Sequence, residues 1–284
     1  MIKENAVRNQ LNCPNSVLDL ATPQVMGILN VTPDSFSDGG KFANFEPALA
    51  QVKRMITDGA TIIDIGGEST RPGAAEVSEA DELTRVIPVL EAIKERFDVL
   101  VSIDTSKAKV MSAAIAAGAD IINDVRALQN DGCLAAVANS NIPVCLMHMQ
   151  GLPRTMQNSP SYDDVITEII VFFQQRIDAC ISAGIARQRI ILDPGFGFGK
   201  TLEQNFHLLA HLSKFSVLDL PILAGMSRKS MIGNLLNRDV EQRLAGSIST
   251  AIIAAQQGAH IIRVHDVQET VDALTILKAV TDNR

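Results

Sequence analysis

The sequence predicts an α/β fold, a closed (β/α)8 TIM barrel built as a single domain, on three observations. A short phrase recurs three times along the chain, eight apolar runs alternate with amphipathic stretches, and almost every apolar run ends on a polar residue. The phrase is Gly59-Ala60-Thr61-Ile62-Ile63-Asp64, then Gly118-Ala119-Asp120-Ile121-Ile122-Asn123, then Gly258-Ala259-His260-Ile261-Ile262-Arg263. Each time a helical pattern stops, glycine supplies a left-handed cap, and a β-branched strand follows.

Five further runs fit the same template, at 25–29, 99–103, 144–147, 190–192 and 222–224, which completes eight candidate strands. Amphipathic stretches at 47–57, 80–97, 107–117, 162–183 and 242–257 read as helices between them. Continuous apolar strands separated by helices must be covered on both faces, which a closed parallel barrel achieves; a doubly wound open sheet is the alternative. Two strand-to-helix connections, 31–44 and 66–78, are longer than linking requires. Both lie at the C-terminal face, where barrels build their active sites. Residues 1–20 carry no assignment and form an extension to a barrel spanning 21–284.

Composition narrows the function. With 46% hydrophobic and 20% charged residues the chain is globular, and no apolar run approaches the roughly 20 residues needed to cross a bilayer. Residues 1–20 lack the apolar core of a signal peptide, so a soluble cytoplasmic protein with no membrane association is expected. The four cysteines, Cys13, Cys133, Cys145 and Cys180, are dispersed and form no zinc or disulfide framework. A net charge of −7 argues against a nucleic-acid partner, so an anionic ligand has to meet a local basic pocket.

The strand ends supply Asn30, Asp64, Asp104, Asn123, His148, Asp193, the group Ser227-Arg228-Lys229, and Arg263 with His265. Taken singly, a strand-terminal Asp or Asn often caps the next helix; that reading fits Asp64, and it fits Asp104 less well because Ser106 is also available to cap. Taken together they divide by charge. Asp104, Asn123 and Asp193 suit the edge of a flat heterocycle that alternates donors and acceptors, guanine-like or pterin-like. Arg71, Arg263 and His265 suit an anion, and Asn30 offers a neutral oxygen to Mg²⁺, a combination that fits a diphosphate. Lys229 lies where barrels often hold phosphate or carboxylate, although adjacent cations are also common on solvated loops.

The run Asp193-Pro194-Gly195-Phe196-Gly197-Phe198-Gly199-Lys200-Thr201 is neither a Walker A loop nor a dinucleotide fingerprint, because Pro194 and Lys200 stand where glycines are needed. It reads as a flexible turn that lays Phe198 beside an aromatic ligand, with core packing of both phenylalanines as the alternative. His207 and His211 have zinc-binding spacing, but Leu208 stands where HExxH has glutamate, so a helix surface is preferred. Cys145 lies inside a strand, where packing is expected.

Eight segments carry a family resemblance: MGILNVTPDSFSDGG from Met26, IDIGGESTRPGA from Ile63, SIDTS from Ser102, INDV from Ile122, LMHMQG from Leu146, LDPGFGFGK from Leu192, GMSRKS from Gly225 and IIRVHDV from Ile261. Over 24–280 the chain resembles the dihydropteroate synthase family of bacterial folate biosynthesis. The resemblance implies that Thr70, Asp104, Asn123, Met147, Asp193, Phe198, Lys229, Arg263, Val264 and His265 meet the pterin diphosphate. It implies that Asn30 carries Mg²⁺, and that Phe36, Thr70, Arg71, Pro72, Phe198 and Ser230 meet p-aminobenzoate, with Asp34 nearby. Arg71, Lys229, Arg263 and His265 are the implied catalytic groups. The expected reaction is alkyl transfer without a covalent enzyme intermediate, in a homodimer formed through outer helices. The alternatives are a pterin-barrel methyltransferase acting on methyltetrahydrofolate and a non-catalytic pterin-binding paralogue.

Overall fold

A computed structural model describes residues 9–31, 45–69, 77–151, 156 and 160–283. Eight parallel strands follow one another around a barrel: β3 (Gln24–Asn30), β4 (Ile62–Gly66), β5 (Leu100–Asp104), β6 (Ile121–Asp124), β7 (Val144–Met147), β8 (Ile190–Asp193), β9 (Leu223–Ala224) and β10 (Ile261–Val264). β10 pairs with β3 in the register Ile261↔Gln24, and a bridge between Leu192 and Ile222 joins β8 to the β9 side. The eight apolar runs are these strands, so the closed barrel is observed and the open sheet is not.

The five amphipathic stretches are the helices α1 (Glu46–Thr57), α2 (Glu79–Arg96), α3 (Ala108–Ala116), α5 (Val165–Ser182) and α8 (Leu244–Gln256). Four more complete the described set: α4 (Cys133–Ala138), α6 (Leu202–Ala210), α7 (Ser230–Leu236) and α9 (Val267–Asp282). Local chemistry sets their ends. At α2, Ser78 Oγ accepts the Asp81 N–H, Glu79, Asp81 and Glu82 fill the first turn, and Lys94 and Arg96 fill the last, complementing the helix dipole at both ends. The three repeated glycines adopt φ of 98°, 92° and 94° at Gly59, Gly118 and Gly258, the left-handed turn that redirects each helix into its strand.

The repeated phrase also sorts side chains between two cores. Along a strand, alternate residues face opposite sides. Ile63, Ile122 and Ile262 point outward and join the large core beneath the helices. Ile62, Ile121 and Ile261 point inward and join Met26, Cys145, Ile191 and Leu223 at the base of the barrel. Two positions further along, the inward residues become Asp64, Asn123, Met147, Asp193 and Arg263. The strands therefore carry an apolar floor and a largely polar mouth.

The unassigned extension closes that floor. Residues 10–19 form an antiparallel hairpin, β1 (Gln10–Asn12) with β2 (Val17–Asp19), in which Leu11 faces Leu18. Leu11, Leu18 and Leu20 pack in one cluster with the inward isoleucines, so the hairpin belongs to the barrel. Plugging the barrel hides apolar ends that water would otherwise reach, and each fully buried leucine contributes about 1.5–3 kcal/mol.

Candidate active site

Arg263 stands at the centre of the mouth. Its Nε donates to Asp64 Oδ2 at 2.6 Å and its Nη2 to Asp104 Oδ2 at 3.1 Å. Asp64 is fully buried and caps no helix; the same Oδ2 also accepts Asn123 Nδ2 at 3.3 Å. Ser106 does not cap α3 either, since its hydroxyl donates to Asp124 Oδ1 at 2.5 Å. The sequence places Arg263 among the anion-holding groups; in the barrel its guanidinium also lies against the carboxylates, because position 263 faces inward at their depth.

Two acceptor atoms in this cluster, Asp64 Oδ1 and Asn123 Oδ1, are buried without a hydrogen-bond partner among the described residues. A buried unpaired acceptor costs about 1–3 kcal/mol, so the mouth favours a ligand that brings N–H donors. Electrostatics point the same way. Burial, and beside it the Asp64 carboxylate, push Asp104 up to about 8, with Arg263 pulling downward. Burial also raises Asp193, against the attraction of Lys229. Burial lowers the Lys229 ammonium to about 8, while Asp193 raises it. Arg263 is opposed by burial but held above its usual value by Asp64 and Asp104.

The glycine-rich segment after β8 forms one wall. Gly195, Gly197 and Gly199 have φ of 73°, 81° and 61°. A Cβ on Gly195 would overlap the His148 carbonyl oxygen, so this turn admits glycine alone. It is also held in place, unlike the flexible turn the sequence suggested: Asp193 Oδ1 accepts Gly195 N–H at 2.8 Å and Asn205 Oδ1 accepts Gly197 N–H at 2.6 Å. The two phenylalanines divide their duties. Phe196 is in the large core, whereas Phe198 packs with Met147 and Met156 at the mouth. Lys229 Nζ lies 4.6 Å from the centre of the Phe198 ring and donates to Phe196 O at 2.6 Å.

Opposite, Ser227 Oγ lies 3.1 Å from His265 Nδ1 and accepts the His265 N–H at 3.1 Å. Arg228 takes the left-handed φ of 57° and binds Asp266 through Nε at 3.0 Å, which ties the loop after β9 to the start of α9. Ser230 is exposed at the first position of α7, and Asn30 is exposed at the end of β3.

The structure thus brings Asp104, Asn123, Met147, Asp193, Phe198, Lys229 and Arg263 to one end of the barrel. Val264, one residue beyond Arg263, turns its side chain outward into the large core and presents its backbone to the mouth. His148 is also turned away, stacked edge-on against Phe172 at 4.9 Å. Asp34, Phe36, Thr70, Arg71 and Pro72 lie outside the described residues. His207 is exposed on α6, Cys145 is buried in the barrel floor, and no cluster of three His, Cys, Asp or Glu side chains that could hold a metal occurs among the described residues. Lys200, to which the sequence assigns no role, lies buried beneath the glycine turn. A lysine closing a turn whose carbonyls have no strand partners was the available signal.

A closed barrel with hydrogen-bonding groups converging on one mouth defines a small-molecule enzyme, and the chain belongs to the pterin binding enzyme family, whose model matches residues 26–265. It is 59% identical over 262 residues to the dihydropteroate synthase of Escherichia coli (strain K12), covering 92% of this chain and 93% of that protein. A Yersinia pestis dihydropteroate synthase solved with a sulfonamide drug superposes with a TM-score of 0.92 at 59% identity, covering 96% of this chain and 99% of that one. A Xanthomonas albilineans dihydropteroate synthase solved with 4-aminobenzoic acid gives 0.90 at 51% identity, covering 96% and 98%. Within its family the chain therefore stands among the dihydropteroate synthases, which are transferases.

Proposed function

We propose that the chain condenses (7,8-dihydropterin-6-yl)methyl diphosphate with p-aminobenzoate to give 7,8-dihydropteroate and diphosphate. The observation that carries this is the mouth itself, where buried acceptors on Asp64 and Asn123 without a partner among the described residues sit beside Asp104, Asp193, Lys229 and Arg263. A pterin edge supplies the matching N–H donors. Asp104, Asn123 and Asp193 read that edge, Lys229 meets the ring oxygen, and Met147 and Phe198 flank the ring. Phe36, Thr70, Arg71, Pro72, Phe198 and Ser230 receive p-aminobenzoate.

In the reaction the bond between the exocyclic methylene carbon and the diphosphate oxygen breaks with its electron pair leaving on oxygen. The aniline nitrogen then bonds to that carbon and releases a proton to solvent. Arg71, Arg263 and His265 stabilise the departing charge, and positioning supplies the remainder, since an aromatic amine is nucleophilic without a strong base. Mg²⁺ is assigned to Asn30. One exposed amide oxygen, with no cluster of three metal-binding side chains among the described residues, suits an ion that takes most of its ligands from diphosphate and water. When bound, the ion neutralises charge on the leaving group.

The reading extends to assembly and compartment. Leu235, Leu236, Leu244, Ile253, Ile276 and Val280 are exposed apolar side chains on α7, α8 and α9, which supports a homodimer through these outer helices. Four unpaired cysteines support a cytoplasmic location. The deciding experiment supplies both substrates and Mg²⁺ and measures diphosphate and 7,8-dihydropteroate. Equimolar release of the two supports the reading, and no diphosphate release at any Mg²⁺ concentration overturns it.

A further inference from the structure

Lys200 is a cation in the wrong place for a cation. It is 2% exposed, and it forms no ion pair among the described residues. Its three N–H groups are nonetheless all placed: Nζ lies 2.8 Å from Gly195 O, 3.0 Å from Phe198 O and 3.1 Å from His148 Nδ1. His148 therefore presents a neutral nitrogen as acceptor, consistent with a ring pushed down to about 2 by burial and then by the Lys200 charge. Burial drives the Lys200 ammonium itself down to about 7, with Asp193 pulling upward and Lys229 adding to the fall.

The surrounding groups hold the same turn from other sides. Tyr162 Oη donates to Gly199 O at 2.8 Å, Asn205 Oδ1 accepts Gly197 N–H at 2.6 Å, and Lys229 Nζ reaches Phe196 O at 2.6 Å. A segment with three left-handed glycines has little stiffness of its own. A methionine at 200 would fill the volume without desolvating a charge, so packing alone does not explain a lysine there. What the lysine adds is two donors reaching from beneath to the carbonyls of a turn that carries Phe198, with a third donor anchored on His148.

We propose that Lys200 and His148 are positioning residues for the heterocycle subsite: Lys200 donates to the carbonyls of Gly195 and Phe198 while His148 Nδ1 accepts its remaining N–H, and together they fix the Phe198 wall and the Lys229 ammonium against the pterin. This rests on the pterin reading above. The turn is preorganised before the ligand arrives, which removes an ordering cost from binding.

The test compares Lys200→Met and His148→Asn with the unaltered chain, using calorimetry with pterin diphosphate alone, steady-state kinetics for both substrates, and circular dichroism. The expected result is a rise of about tenfold or more in Kd and KM for the pterin diphosphate, with a smaller rise in KM for p-aminobenzoate because Phe198 is shared by both subsites. A purely structural Lys200 predicts a lower melting temperature with both KM values unchanged, and that result overturns the proposal. Should neither variant fold, Tyr162→Phe removes only the outer tie to Gly199 and is expected to weaken pterin binding by about threefold; unchanged affinity there also overturns it. Failure of the unaltered chain to bind pterin diphosphate sinks the functional reading with it, whereas normal binding by the unaltered chain and a folded Lys200→Met alike sinks this inference alone.

Discussion

Arg263 Nε donates to Asp64 Oδ2 at 2.6 Å across 199 positions of sequence. Because that oxygen also accepts Asn123 Nδ2, one carboxylate orients both a cation and an amide at the mouth. The amide nitrogen is thereby held on Asp64, and the amide oxygen is buried with no hydrogen-bond partner among the described residues.

Replacing Asp64 by Asn should consequently damage stability and binding together. Removing one partner of a buried ion pair costs about 3–5 kcal/mol, because the other charge stays buried. Urea unfolding of Asp64→Asn should show a loss in that range, and calorimetry should show weaker pterin diphosphate binding. A loss below about 1 kcal/mol would mean that Asp104 alone satisfies Arg263.

The hairpin plug makes a prediction far from the mouth. Leu11 is fully buried against the barrel floor, so Leu11→Ala should cost about 2–5 kcal/mol while leaving both KM values close to normal. Thermal melting and kinetics on the same preparation check this; an unaltered melting temperature would show that the plug is dispensable.

His148 predicts an acid limb. Its ring is pushed from 6.5 down to about 2, first by burial and then by Lys200. As the pH falls below 6.5 the unfolded chain takes up a proton that the native chain refuses. The stability contributed by the neutral ring is therefore present above 6.5 and lost towards 2, at up to about 1.4 kcal/mol per pH unit. Asp104 and Asp193 titrate in both proteins and largely cancel in a comparison. The stability gap between the unaltered chain and His148→Asn should narrow between pH 7 and pH 5, and a gap that stays constant in urea titrations would contradict the assignment.

Asn30→Ala tests the metal assignment. If Asn30 supplies the protein's oxygen to Mg²⁺, the variant should need about tenfold more Mg²⁺ for half-maximal rate while binding a pterin without diphosphate normally. An unchanged Mg²⁺ dependence removes Asn30 from that role.

Much of the site was legible because a strand alternates its faces. In Ile-Ile-Asp, Ile-Ile-Asn and Ile-Ile-Arg the first isoleucine builds the floor, the second meets the helices, and the polar third enters the mouth. The same rule, applied one residue further, would have turned Val264 outward. Lys200 is not legible in the sequence because its partners are backbone carbonyls and a histidine in the loop after β7, and no residue pattern announces carbonyl directions.

By itself the sequence determined the eight barrel strands, the glycine turns, the barrel, and which polar side chains end at its open face, since all of these follow from periodicity and local backbone preference. Tertiary structure alone decided that residues 10–19 plug the base, that Arg263 sits between Asp64 and Asp104, and that Lys200 holds the glycine turn. Those relationships join residues brought together only by barrel closure, where burial makes charge pairing and hydrogen bonding strong enough to select one arrangement.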